Sequence, residues 1–280
     1  MNFNVLHGKY TNIIWLFQIF IRKEKIMEGI NWCGYNWSCK MDGGRIIHPT
    51  YPHAWYSDSP DVVHIEENGE MSLSYRENPR EIKHWDGKIY HPTIERALIR
   101  TTTPFDYGTF SIEAKMPKGL NLSCAFWLSG DGNWPPEIDI VESWSEDNNY
   151  SWRTTNHFPW ILPSWRTTNN VHYNNDKIMH EHLGSKNIMK CDQPLNPIDN
   201  WIKYEATWEP DKITFKANGK IVKTVSKKYA NMLVNNLKNP EKGHLMDVII
   251  DINVDDPKII KNRLDIPFKV RNFKYKPLNK

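Results

Sequence analysis

Gly108-Thr109-Phe110-Ser111-Ile112-Glu113-Ala114-Lys115-Met116 alternates apolar and polar residues and stops at Pro117-Lys118-Gly119. Successive side chains of a strand point to opposite faces, so this pattern reads as a strand with one face in a core and one toward water. The same pattern extends in both directions. Upstream, Val62-Val63-His64-Ile65 and Met71-Ser72-Leu73-Ser74-Tyr75 flank the turn Glu67-Asn68-Gly69, and Ala97-Leu98-Ile99-Arg100-Thr101-Thr102 reads as a further strand. Downstream, Ser123 to Leu128 and Glu137 to Glu142 are short apolar runs of the buried kind. Ile202 to Trp208 turns at Glu209-Pro210-Asp211, Lys212 to Ala217 turns at Asn218-Gly219, and Val248 to Ile252 and Phe268 to Phe273 close the series. Residues 226–238 suggest one short helix. Many short strands without βαβ alternation predict an all-β sandwich or jelly roll.

A chain of 280 residues holds one large all-β domain or two small ones. No linker divides it, so the expected organisation is an N-terminal extension over 1–30 and a single domain over 31–280. The net charge of +3, from 36 basic and 33 acidic residues, argues against nucleic acid as a partner, which calls for a concentrated basic surface. Thirteen tryptophans, twelve tyrosines and ten phenylalanines exceed the needs of an ordinary core. Most are expected to be buried, and a few to line a groove where flat rings stack on pyranose faces.

Cys33, Cys39, Cys124 and Cys191 are too irregularly spaced for a disulfide scaffold or a zinc site. Cys33 and Cys39 are close enough for a local bridge, and free thiols are the equal alternative. The apolar run Ile13 to Ile21 precedes Arg22-Lys23-Glu24-Lys25; it is shorter than the ~20 residues of a membrane span, and its charge order is the reverse of a signal peptide's. No membrane partner is expected, and the compartment stays open. Ser151-Trp152-Arg153-Thr154-Thr155-Asn156 recurs as Ser164-Trp165-Arg166-Thr167-Thr168-Asn169, a local duplication expected in a long loop or hairpin.

The chemistry concentrates in Glu137-Ile138-Asp139-Ile140-Val141-Glu142. Glu137 and Asp139, two apart, share a strand face, whereas Glu142 falls on the other. A one-residue bulge near Ile140-Val141 returns Glu142 to the shared face, and bulges are common beside active sites. Three carboxylates on one face are costly in a core and useful in a cleft. Retaining glycosidases need two carboxyls ~5–5.5 Å apart, one a nucleophile and one a proton donor, and an intervening aspartate helps to separate their titrations. The competing reading is a solvated strand edge. A metal site is disfavoured because no additional ligands are spaced to complete a shell.

The neighbours of this run carry a resemblance. Tyr107-Gly108-Thr109-Phe110 through Ala114-Lys115-Met116-Pro117-Lys118-Gly119, then Ala125-Phe126-Trp127-Leu128, then Trp134-Pro135 and the carboxylate run, resemble glycoside hydrolase family 16, as does Tyr204 to Ile213 with Asn218-Gly219-Lys220. The resemblance covers roughly residues 55–275 and implies a jelly-roll sandwich of two antiparallel sheets with an open substrate cleft on the concave face. It implies catalytic roles for Glu137 as nucleophile, Asp139 as its assisting acid and Glu142 as general acid/base. The extra residue before Glu142 matches the bulged branch of laminarinases, agarases, carrageenases and porphyranases. Trp127, Trp134 and Trp144 are the implied sugar-stacking rings. His172, in Asn170-Val171-His172-Tyr173, or His157 is the implied histidine near the scissile sugar. One departure is that only Pro136 separates the Trp-Pro pair from the run, where laminarinases have a longer, glycine-containing connection.

The expectation is a monomeric retaining endo-glycanase acting on a polysaccharide, foremost a β-1,3(4)-glucan. It requires no cofactor, and a structural calcium ion elsewhere stays open. Arg153 and Arg166 suggest a sulfated algal galactan as a rival substrate, because guanidinium forks suit such oxyanions. A transglycosylase using the same residues, or a catalytically inactive glycan-binding sandwich, would also fit the pattern.

Overall fold

The computed structural model describes residues 29–48, 50–117, 122–130, 134–144, 166–173, 181–182, 185–187, 199–228, 230, 233, 244–254 and 267–278. The strands in chain order begin with β1 (Ile30–Trp32), β2 (Tyr35–Ser38), β3 (Ala54–Tyr56), β4 (Val63–Ile65), β5 (Met71–Leu73), β6 (Tyr75–Glu77) and β7 (Ile82–Lys83). They continue with β8 (Ile89–Tyr90), β9 (Ile94–Arg96), β10 (Leu98–Thr101), β11 (Gly108–Lys115), β12 (Leu122–Gly130), β13 (Glu137–Trp144) and β14 (Arg166–Tyr173). The last are β15 (Glu181–His182), β16 (Ser185–Asn187), β17 (Ile202–Glu209), β18 (Lys212–Ala217), β19 (Lys220–Val225), β20 (Met246–Val254) and β21 (Phe268–Pro277).

Two antiparallel sheets dominate. One runs β1-β2-β10-β20-β12-β13-β14-β15, with β16 also on β14; the other runs β19-β18-β17-β11-β21-β5-β4. The opening segment is β11, and its alternation decides which side faces in: Phe110, Ile112 and Ala114 are wholly buried, while Thr109, Glu113 and Lys115 are not. Phe126 and Leu128 of β12, Ile138 of β13 and Ile250 and Ile252 of β20 meet them from the other sheet in one continuous core that also holds Trp37, Trp208, Phe215 and Phe268. Each such side chain contributes ~1.5–3 kcal/mol by leaving water, and this is what holds the sheets face to face. Gly108 opens β11 because nothing larger fits: a Cβ there would lie 2.5 Å from both the Lys276 carbonyl and the Tyr275 ring.

A smaller sheet, β3-β9-β6, packs against the first large sheet. Ala54 and Ile94 pack on Leu122 and Val254, and Tyr56 packs on Leu98 and Ile249. It forms one wall of the cleft described below.

Several expectations take a different shape in the structure. The Cys33–Cys39 bridge does not form: both thiols are free, Cys33 exposed at a turn and Cys39 buried. Burial pushes the Cys39 thiol up to about 12, which leaves it an inert apolar side chain. Of the expected helix, Lys227, Lys228, Ala230 and Leu233 are helical, and Ala230 and Leu233 are buried. Of the loop or hairpin expected for the repeat, the second copy takes the paired form: Arg166 to Asn169 opens β14, antiparallel and directly beside the carboxylate strand. The first copy lies outside the described residues, as do the apolar run 13–21 and Cys191. Among the described residues no helix is long and apolar enough to cross a membrane.

Candidate active site

The bulge that the Glu137 to Glu142 spacing requires is present. Across β12 the partners run Ser129↔Glu137, Leu128↔Ile138, Trp127↔Asp139 and then Phe126↔Val141, so Ile140 is the extra residue. On the other side Asp139 stands opposite Asn170 and Glu142 opposite Thr168, leaving Asn169 alone against Ile140 and Val141. The Asn169 side-chain amide donates to the Ile140 carbonyl at 2.6 Å, satisfying the group that the bulge removes from the ladder.

The three acids consequently occupy three successive cross-strand rows of one face. Glu142 is in line with Ala125 and Asp251, Asp139 with Trp127 and Ile249, and Glu137 with Ser129 and Asp247. Ala125 leaves room beside Glu142, and Trp127 walls in Asp139. Glu137 and Glu142 are half-buried, while Asp139 is 2% exposed. Asp139 exchanges hydrogen bonds with both glutamates, which brings the two outer carboxyls toward the middle one. Its own carboxyl is pushed up from 3.8 to about 7, first by burial and then by the negative charge of Asp251, against the pull of its Glu137 hydrogen bond, Lys223 and Glu142. Asp139 thus keeps its proton to much higher pH than an ordinary carboxyl, and unequal proton affinity is the property that separates an acid from a nucleophile in a carboxylate pair.

These side chains line a cavity of about 450 Å³ on the outward face of the first sheet. Trp134 is 48% exposed and donates its Nε1 hydrogen to Glu137 Oε2 at 2.9 Å. The connection between β12 and β13 is closed by Gly130 N donating to the Pro136 carbonyl at 3.0 Å, which keeps Trp134 at the lip. Trp127 is half-buried and donates its Nε1 hydrogen to Asp251 at 3.1 Å. The Asp251 carboxyl also accepts from Asn253 Nδ2 at 2.9 Å and is held above the ordinary range by burial, with Arg96 opposing.

The far end of the cavity is lined by Met41, Asp42, Arg45, His48, Thr50, Tyr51 and Tyr56. Arg96, 1% exposed, lies beneath the Tyr51 and Tyr56 rings at 5.6 and 4.6 Å and donates to the Tyr56 hydroxyl at 3.0 Å. Burial, then Arg45 and Arg96, lower the His48 pKa, so its ring is neutral at neutral pH. The Thr50 N–H donates to Nδ1 at 3.2 Å, which places the ring proton on Nε2.

Of the expected site residues, Glu137, Asp139, Glu142, Trp127 and Trp134 come together in this cleft. His172 stands opposite Glu137 on β14, and Trp144 ends β13 opposite Arg166. His157 and Arg153 lie outside the described residues. The sequence reading missed Asp251, whose signal was an acid inside the apolar run Val248 to Ile252, and Arg96, an arginine in the buried strand Ile94–Arg96. It also missed His48 and Tyr51, for which the sequence carries no signal, because only the packing of the small sheet brings them to the cleft. Among the described residues no group of three or more His, Cys, Asp or Glu is arranged to hold a metal ion.

Comparison with known proteins gives a family match and several partial likenesses. The model of "Glycosyl hydrolases family 16" matches residues 55–250. The endo-1,3-1,4-beta-glycanase EglC of Rhizobium meliloti (strain 1021) is 50% identical over 44 residues, 15% of this chain and 10% of that protein. The glucan endo-1,3-beta-glucosidase of Cryptopygus antarcticus is 33% identical over 95 residues, 31% of this chain and 33% of that protein. The chain thus matches between a tenth and a third of the length of these curated relatives. Porphyranase B from Zobellia galactanivorans shares the fold, with a TM-score of 0.58 at 17% identity over 85% of this chain and 83% of that one.

Proposed function

The chain belongs to glycosyl hydrolase family 16, and from that footing we propose that it is a retaining endo-β-glycanase whose substrate is a β-1,3(4)-glucan. The observation that carries this reading is the Ile140 bulge, which sets Glu137, Asp139 and Glu142 on one face of an open cleft. A glucan chain lies along the cleft with a sugar against Trp134. Glu142 protonates the glycosidic oxygen as the bond to the leaving sugar breaks, and Glu137 attacks the anomeric carbon to form a glycosyl ester. Water, deprotonated by Glu142, then attacks the same carbon and releases Glu137, so configuration is retained. Asp139 holds both carboxyls in register. The Trp134 N–H steadies Glu137 for attack. The glucan preference is supported by the Cryptopygus antarcticus relative, named a glucan endo-1,3-beta-glucosidase, and the linkage also by EglC, named an endo-1,3-1,4-beta-glycanase.

The test is a reducing-sugar assay on laminarin, lichenan, agarose, porphyran and carrageenan, with product anomers followed by NMR. Release from laminarin or lichenan as the β-anomer is expected, with Glu137→Gln and Glu142→Gln each nearly abolishing it in folded protein. Full activity in either variant refutes the assignment of roles; cleavage of a galactan alone refutes the substrate; longer products from oligosaccharide donors mark a transglycosylase.

A further inference from the structure

Lys223 occupies an unexpected place. It belongs to β19, the edge strand of the second sheet, in the run Lys220-Ile221-Val222-Lys223-Thr224-Val225. In a regular strand Ile221 and Lys223 would share a face. They do not, because the ladder pairs Phe215↔Lys223 but Lys216↔Ile221, which makes Val222 an extra residue. Ile221 is thereby turned out, 65% exposed, on the side of Lys216. Lys223 is turned in, on the side of the wholly buried Phe215. Its stem crosses the space between the sheets, and its Nζ donates to the Asn169 main-chain carbonyl at 3.1 Å. Asn169 is the residue whose side chain donates to the Ile140 carbonyl at 2.6 Å. One amine on the far sheet is thus two hydrogen bonds from the carbonyl at the apex of the bulge that aligns the acids.

We propose that Lys223 is a positioning residue for the carboxylate strand, holding the Ile140 bulge from behind through Asn169 and presenting a positive charge to Asp139. Even a half-buried lysine is costly, since burial works against its charge. Guarding an edge strand against unwanted pairing is one use of an inward charge, but it needs no contact with the opposite sheet. The charged groups facing Asp139 are Glu137 and Glu142 from its own strand, Asp251 from β20 and Lys223 from β19. Three are acids, so the amine offsets a field that would otherwise keep a proton on Asp139 to still higher pH. Removing a cation raises a neighbouring carboxyl's pKa, so both limbs of the activity profile move to higher pH without it.

The inference rests on the retaining-glycosidase reading, and the experiment separates the two. Lys223→Met keeps the stem and removes the charge and the donor. It is expected to lower kcat about tenfold with KM little changed and to move the pH-activity bell up by about half a unit. Lys223→Arg keeps charge and donor and is expected to restore the profile. Lys223→Gln keeps a donor without the charge and carries the test should the methionine variant not fold; it should displace the bell. The carboxyl ¹³C titration of Asp139 should move in the same direction, a readout that needs no substrate. A wild-type bell and a wild-type Asp139 titration in Lys223→Met, even with a lowered melting temperature, overturn the proposal and leave Lys223 an edge guard. Full activity in Glu137→Gln overturns the assigned roles of the retaining mechanism instead.

Discussion

Replacing Asp139 with asparagine should change how stability depends on pH. Asp139 is fully enclosed, and its carboxyl is pushed up from 3.8 to about 7, chiefly by burial. Between those values the folded protein holds a proton that the unfolded chain has lost. Stability then falls as pH rises, because the native state binds the extra proton. The penalty is absent below pH 4, grows across the window and is complete above 7. At ~1.36 kcal/mol for each tenfold change in proton affinity, the span from 3.8 to about 7 corresponds to roughly 4 kcal/mol. Asparagine keeps the shape and a hydrogen-bonding tip but never ionises. Urea unfolding of both proteins at half-unit steps from pH 4 to 8 measures the effect. The stability of the wild type minus that of Asp139→Asn should fall by up to roughly 4 kcal/mol across this range. Asp251, whose pKa is also raised by burial, is present in both proteins and largely drops out of the difference. A difference that is flat or that rises with pH would refute the claim that a proton resides at Asp139 in the folded state.

Other outcomes follow from the same geometry. Trp134→Phe keeps a ring at the lip but loses the N–H held by Glu137; at a half-exposed position a charge-assisted bond is worth ~1 kcal/mol, so kcat/KM should fall about fivefold to tenfold, and an unchanged value would show that the bond does not serve catalysis. Gly108→Ala places a Cβ against the Lys276 carbonyl, which cannot yield without moving β21; a loss of about 2–3 kcal/mol in urea unfolding is expected, and a neutral result would contradict the close approach of the two strands. The proposed chemistry draws its nucleophile and its proton from Glu137 and Glu142, so activity should survive EDTA; its loss, restored by calcium at constant fold, would reveal a metal in the catalytic step.

How much of this was legible in the chain depends on how local each feature is. The alternation of Gly108 to Met116 placed a strand with the correct face inward, because the period of two is a property of a single strand. The five-residue spacing from Glu137 to Glu142 required a bulge, because no unbroken strand sets both glutamates on one face, and Ile140 is that residue. The run Val248 to Ile252 was read as a buried strand, yet the use of Asp251 within it was not, since its partners Trp127 and Arg96 arrive from other strands.

The chain by itself therefore determined the longer strands, the buried face of β11, the bulge and the three acids, all of which follow from the spacing of residues within one segment. Only the tertiary structure decided what surrounds those acids. Ladder register between distant strands brings Asp251 beside Trp127, the small sheet brings His48 and Tyr51 to the far end of the cleft, and the Val222 bulge turns Lys223 inward toward Asn169. Side-chain alternation is set by the backbone of each strand, whereas the meeting of two sheets is set by the pairing of the whole. The field around the carboxylates is a product of that meeting.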